Sequence, residues 1–280
     1  MSHVSFDPVH APIEDAYELR GLRPDVLEAW DRHVLVDVIH DGARIPPSVA
    51  PYFDGNGGLR QDVHDAFVRE RDWGAAAVAE RLAYHLGLRG YYSKQAARVV
   101  CDFNRFRGRT APDAGHLGRR ALFPPGSELL PERVGEQALK ECFDPVTSAL
   151  FGRIGEAIED TPFQDSRLLR LTVHTYDDRV GEGHRRPKAS LIFTPFEYHE
   201  WFRLPTNVYP PVFPDRLAEF TADRALAYRM ALMLEKNYLP VAVNSQYFLP
   251  LGGAEMRLQV WCYMQHLMRQ VEGLGTEAEA

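Results

Sequence analysis

Two histidines stand where an apolar run gives way to a turn. Val34-Leu-Val-Asp-Val-Ile-His40 leads into Asp41 and Gly42 and breaks at Pro46-Pro47, and Leu168-Leu-Arg-Leu-Thr-Val-His174 has the same layout. A third run, Arg98-Val-Val-Cys-Asp-Phe-Asn104-Arg105, passes from apolar residues to an amide and a guanidinium. Each reads as a buried strand whose end delivers polar side chains into a crevice, the place where open α/β sheets bind ligands. With Asp72 between them, these strand ends are expected to build one metal site. Imidazole and carboxylate are ordinary zinc donors, and a catalytic zinc typically keeps three protein ligands and one open position. The chain has 11 histidines, and the plain alternative for any one is a surface or hydrogen-bonded core residue. His33, His64, His85, His116, His199 and His266 receive only that reading. There is no H-E-x-x-H and no short-spaced Cys/His pattern, so the spacing by itself is not a motif.

The elements that must carry these residues alternate between strand and helix. Strands are expected at 34–40, 98–104, 167–174, 189–194 and 241–243, and a last one at 257–261. A helix is expected over 72–83, rich in alanine, with Asp72 near its N-cap. Residues 132–159 read as one or two helices interrupted at Pro145. Residues 214–236 show apolar positions close to the helical period, and a short helix is expected at 24–30 with Pro24 in its first turn. Arg107 to Pro131 reads as a long irregular tract, and such a loop in a compact domain is usually functional or disordered. The turn cluster Asp54-Gly-Asn-Gly-Gly58 has no Lys-Ser/Thr sequel, which removes a phosphate-binding role. The alternation implies an α/β fold, 1–280 as a single domain, with a central, mostly parallel or mixed sheet flanked by helices.

The whole chain narrows the function classes. It has 280 residues, 45% hydrophobic and 25% charged, with 32 basic against 39 acidic residues for a formal charge of −7. A length of this order buries a sizeable core, and the acidic balance without a basic run argues against nucleic-acid or membrane-surface binding. The three cysteines, Cys101, Cys142 and Cys262, are scattered among apolar neighbours, so free thiols in a reducing cytoplasm are expected rather than a disulfide frame. The N-terminal residues lack the regions of a signal peptide, and no apolar run approaches the roughly 20 residues that span a bilayer.

Four blocks carry a resemblance. His40-Asp-Gly-Ala-Arg-Ile-Pro-Pro47, Arg71-Asp-Trp-Gly-Ala-Ala-Ala-Val-Ala-Glu-Arg-Leu-Ala83, Ala97-Arg-Val-Val-Cys-Asp-Phe-Asn-Arg105 and His174-Thr175 resemble, in order, the blocks of N-formylglutamate amidohydrolases, a family related in fold to zinc carboxypeptidases. The Asp-x-Asn-Arg block and the Asp-x-Gly-Ala helix start are the most specific parts. The resemblance implies a zinc-dependent exopeptidase (phosphorylase/hydrolase-like) fold and a Zn2+ held by His40, Asp72 and His174. It also implies that Asn104 and Arg105 grip a substrate carboxylate, with Arg98 joining them or polarising the scissile carbonyl. A planar guanidinium meets a carboxylate with two bonds, while the alternative for Arg98 and Arg105 is a structural ion pair with Asp102. The loop 181–188 is similar to the family's Gly-x-x-Arg-Pro segment and implies a substrate contact at Arg185; a solvated turn is the alternative for Arg185 and His184.

Two departures bear on activity. Asp41 follows His40 where the family usually has Ser or Ala. Gln259 stands where members carry a late-strand glutamate, the implied general base, and a glutamine cannot take a proton at neutral pH. Glu255 lies four residues earlier, on the same strand face but about 13 Å away along an extended chain; Asp41 and Glu182 are the other candidate acids. The expected function is metal-dependent hydrolysis of an amide in a small N-acyl amino acid or related carboxylate. The alternative is a binding or regulatory protein on the same fold, without nucleic acid or membrane as partner.

Overall fold

The computed structural model describes residues 7–22, 33–55, 58–111, 120–122, 130–150, 169–176, 179–180, 184–185, 188–191 and 224–243. They fall into two compact units that divide after Tyr176.

The first unit is built on a four-stranded mixed sheet of β2 (Tyr17–Gly21), β3 (Val34–Val38), β7 (Gly90–Lys94) and β10 (Leu169–Thr172), in the order β10-β3-β7-β2. β3 is parallel to both neighbours, and β2 runs antiparallel along β7 at the edge. The register sets Asp37 opposite both Thr172 and Tyr92. Parallel pairing therefore brings the ends of β3, β10 and β7 to one edge of the sheet, and the residues that follow each strand meet there. β3 reads Val-Leu-Val-Asp-Val, and four of its five residues are buried, as expected for a central strand covered on both faces.

One face of β3 is covered by α3 (Ala75–His85), which buries Ala75, Ala79 and Ala83 against Val36, Val38, Leu88 and Tyr91. Those alanines recur every four residues, so they form one face of the helix and let it lie close on the sheet. A second core gathers Ile45, Phe53, Phe67, Val99, Val100, Leu122, Leu130 and Leu139. It is framed by α1 (Ala50–Phe53), α2 (Gln61–Glu70) and α4 (Glu132–Cys142). A further helical stretch covers 144–150, after a break at Phe143. Short pairs complete the unit: β1 (Val9–His10) with β4 (Arg44–Ile45), β5 (Asp54–Gly55) with β6 (Gly58–Leu59), and β8 (Phe106–Arg109) with β9 (Arg120–Leu122).

Several sequence expectations change here. Residues 98–104 are not a strand. Ala97 starts a tight turn, with the Val100 N–H donating to its carbonyl at 3.0 Å, and Val99, Val100 and Cys101 are buried in the second core. The β-branched pair looked like a strand because burial, not extension, is what it serves. The strand that leads to this edge is β7, which ends at Lys94, just before the turn that holds Arg98. The helix expected at 72–83 begins at Ala75, after Gly74 at φ +81°. Glycine adopts that left-handed conformation without the strain a side chain would add. Asp72 thus precedes the helix and is not its cap. The tract 107–131 contains most of the parallel pair β8 and β9. A helix without counterpart among the sequence expectations, α2, buries Val63, Ala66 and Phe67 on one face.

In the second unit β11 (Arg179–Val180) and β12 (His184–Arg185) form an antiparallel pair within the polar loop. β13 (Ala189–Leu191) and β14 (Val241–Val243) run parallel, and α5 (Arg224–Lys236) precedes β14. The expected helix at 24–30 and strand at 257–261 lie outside the described residues. Among the described residues no helix is long and apolar enough to cross a membrane.

Candidate metal centre

His40 follows β3 by two residues and His174 follows β10 by two. The Val173 N–H donates to the Asp37 carbonyl at 2.8 Å, which prolongs the β10–β3 ladder and carries His174 alongside His40. The two rings lie 5.0 Å apart at an interplanar angle of 58°. Between them comes Asp72, drawn in by its own N–H, which donates to the His40 carbonyl at 3.1 Å. Gly42 makes the approach possible. A Cβ there would sit 2.6 Å from the Lys94 carbonyl oxygen and closer still to that of Ala96, so the chain leaving His40 passes the backbone after β7 only as glycine.

The side chains converge. His174 Nδ1 lies 2.7 Å from Asp72 Oδ2, and His40 Nδ1 lies 3.6 Å from the same oxygen. One ligand atom from each of the three falls within 4.8 Å of the others, and this is the one such trio among the described residues. His40 and Asp72 are buried, whereas the His174 side chain is 34% exposed, so the trio has a closed side and an open one.

Asp102 decides which nitrogen of His40 is available. Its Oδ1 lies 2.9 Å from His40 Nε2 and also accepts the Asn104 N–H at 2.8 Å. An ionised carboxylate only accepts, so Nε2 carries a proton, and in the neutral ring Nδ1 then carries the lone pair. That Nδ1 is buried and has no hydrogen-bond partner. Leaving a buried polar atom unmatched is unfavourable, and a cation among the three side chains would satisfy it. Metal-bound imidazoles commonly hand their other N–H to a carboxylate in this way. Two nitrogens and an oxygen suit zinc and equally other first-row divalent ions. The residues fit such a metal.

The acids are held in their charged forms. Burial pushes the Asp72 carboxyl up, but the hydrogen-bonded His174 and the neighbouring His40 ring outweigh it and leave it lowered to about 2. Burial acts on Asp102 in the same sense and is overcome by His40 and Arg98, which hold it well below the usual carboxylate range. Arg98 donates to Asp102 Oδ2 through Nε at 3.2 Å and Nη2 at 3.1 Å, and through Nη1 to the Glu70 carbonyl at 3.2 Å. It also lies 3.9 Å from Asp72 Oδ1. Arg98 therefore takes the ion-pair role with Asp102 that the sequence left open.

Other expected residues divide clearly. Arg105 Nε lies 3.9 Å from Asp102 Oδ2, so the Asn104-Arg105 pair is placed by the same acid that orients His40. The Asn104 side chain is exposed. Asp41, a candidate base, has both oxygens engaged: Oδ1 by Arg71 Nε at 2.8 Å and Oδ2 by the Ala76 N–H at 3.1 Å. Arg185 belongs to β12 in the second unit. Gln259, Glu255 and Glu182 lie outside the described residues. Sequence reading weighed Asp102 only as a partner for arginine; the available signal was an acid placed directly after a buried Val-Val-Cys run.

No family model matches the chain, and no curated protein matches it. Among solved structures, the gene product Atu2144 of Agrobacterium tumefaciens is similar over 94% of this chain and 95% of that one, at 16% identity and a TM-score of 0.43.

Proposed function

We propose that this chain is a zinc-dependent hydrolase-like protein of the N-formylglutamate amidohydrolase kind, on a fold similar to zinc-dependent exopeptidases. Its substrate class would be a small N-acyl amino acid or a related carboxylate. The observation that carries the reading is the buried, unpartnered Nδ1 of His40, 3.6 Å from the Asp72 oxygen that His174 also approaches. When bound, zinc supplies Lewis acidity toward a carbonyl and lowers the pKa of water toward ~7.

The chain's own residues have separable tasks in this reading. His40, Asp72 and His174 bind the ion. Asp102 keeps the His40 proton on Nε2 and so presents Nδ1; Arg98 keeps Asp102 charged. Arg105, with Asn104, is assigned to the substrate carboxylate on the strength of the sequence resemblance and its position next to Asp102. The proton-moving acid is the missing part, because Gln259 stands where a glutamate is expected. That glutamine favours a second reading: a protein that binds metal and carboxylate without hydrolysing an amide.

The test is Arg105→Ala. A charged hydrogen-bonded pair lost to truncation costs about 2–5 kcal/mol, so the variant should bind a small N-acyl amino acid much more weakly while its binding of the corresponding amide barely changes. Equal losses for acid and amide would make Arg105 structural and remove the carboxylate from the proposal. Elemental analysis of protein purified without a histidine tag should find about one zinc per chain, and its absence after zinc reconstitution would remove the metal.

A further inference from the structure

We propose that the loop Arg71–Trp73 is a hub that sets the spacing of the three metal-binding segments, with Asp41, Arg71 and Thr175 as its positioning residues. This rests on the metal-centre reading above. Each of the three sits directly beside a ligand in sequence: Asp41 after His40, Arg71 before Asp72, and Thr175 after His174. Each is bonded to the same loop or is part of it. Arg71 Nε donates to Asp41 Oδ1 at 2.8 Å, and the Thr175 hydroxyl donates to the Trp73 carbonyl at 2.9 Å. The segment after β3 and the segment after β10 are thereby tied to the residues on either side of Asp72.

The hub is itself fixed. The Arg71 guanidinium carbon lies 4.3 Å from the centre of the Trp73 ring and 5.5 Å from that of Phe67. The Trp73 indole N–H donates to the Val68 carbonyl at 2.7 Å, and its ring packs edge-on to Phe67 at 5.9 Å. Asp41 is also tied to α3 through the Ala76 N–H at 3.1 Å, and this link is what a helix beginning at a glycine lacks from its own residues. The Asp41 and Arg71 side chains are only 8% and 15% exposed, so solvent screens their pairing weakly. A metal ligand displaced by a fraction of an ångström loses affinity, and supporting shells typically control about 10–100-fold of it.

Charge gives a discriminating sign. If Arg71 and Asp41 acted on the ion only through their fields, removing the cation would tighten Zn2+ binding and removing the anion would weaken it. Positioning predicts that both removals weaken it. The experiment measures Zn2+ affinity by competition with a chromophoric chelator for the wild type, Arg71→Met, Asp41→Asn and Thr175→Val. Near-ultraviolet circular dichroism checks the fold, and the visible spectrum of the Co2+ form reports ligand geometry. Thr175→Val removes one hydroxyl without changing charge, so it tests the idea even if Arg71→Met does not fold.

The expected result is a loss of about 10-fold or more in Zn2+ affinity for each folded variant, with an altered Co2+ spectrum. Tighter binding by Arg71→Met with weaker binding by Asp41→Asn would overturn the proposal in favour of a field effect. Wild-type affinity and an unchanged Co2+ spectrum in folded Thr175→Val would overturn it as well. A wild type that binds neither Zn2+ nor Co2+ would instead sink the metal-centre reading, and the hub with it.

Discussion

Two buried polar clusters flank one short stretch of chain and differ in how completely they are matched. Asp37, inside β3, accepts the Tyr17 hydroxyl at 2.8 Å and Arg170 Nη2 at 2.6 Å and Nε at 3.1 Å, all on Oδ2. Its charge is balanced by Arg170, and Tyr17 stacks on Tyr92 at 4.9 Å. Three residues on, past the end of the strand, His40 is held by Asp102 on one nitrogen and left with a bare lone pair on the other. Asp37 Oδ1 also lacks a partner, yet no trio of metal-ligating side chains gathers there among the described residues. Burial of polar groups is therefore common to both. What marks the second cluster is several donor atoms converging on one point, with the chain's own charges unable to close it. A mid-strand acid is surrounded by ladder and core, whereas a residue past three parallel strand ends meets side chains from each.

Removing a ligand should separate the clusters most sharply. His174→Ala should abolish stoichiometric zinc, measured by elemental analysis after dialysis, while leaving the Asp37 cluster and the fold in place. Full metal retention in that variant would erase the distinction drawn above. Next in size is the missing base. Hydrolysis of N-formylglutamate by the wild type should be slow or absent, since a positioned general base is worth about 10²–10⁴-fold in rate, or roughly 3–5.5 kcal/mol. Gln259→Glu should raise it without changing metal content; a metal-loaded but silent variant would favour the binding-protein reading. Robust wild-type activity abolished by Glu255→Gln would move the base to that residue.

Asp37→Ala should do the reverse of the histidine variant. It leaves Arg170 and Tyr17 without their acid, and breaking a buried pair costs about 3–5 kcal/mol, here toward the lower end because Arg170 is 25% exposed. Chemical denaturation should show that loss, with Zn2+ affinity per folded molecule unchanged. A large fall in affinity would show the clusters to be coupled through β3. The smallest effect belongs to Asp102→Asn. An amide could still accept from His40 Nε2 or could turn its NH2 toward it, so metal affinity should fall only about 10–100-fold. Unchanged affinity and an unchanged Co2+ spectrum would show that Asp102 serves the arginines and the Asn104 backbone and not the metal ligand.

How much of this was legible depends on the range over which each feature is decided. The sequence by itself determined β3 and β10 as strands, because their apolar runs end at polar turns, and with them the histidines that follow; only β3 is buried, since β10 lies at the sheet edge and is partly exposed. It also determined the alanine-rich α3, whose four-residue repeat is a local property, though not its first residue, since that depends on Gly74 turning left-handed and on an acid from another segment. The burial of Val63, Ala66 and Phe67 in α2 was equally local and available from their spacing. Tertiary structure alone decided that Val99 and Val100 pack in a turn, because the same β-branched pair fits a strand or a core and only the surrounding residues choose. It alone brought Asp102 to His40, Asp41 to Arg71 and Thr175 to Trp73. Those partners are 62, 30 and 102 residues apart, beyond the reach of any periodicity, and a carboxylate or hydroxyl carries no mark of its partner until parallel strand ends bring the segments to one edge.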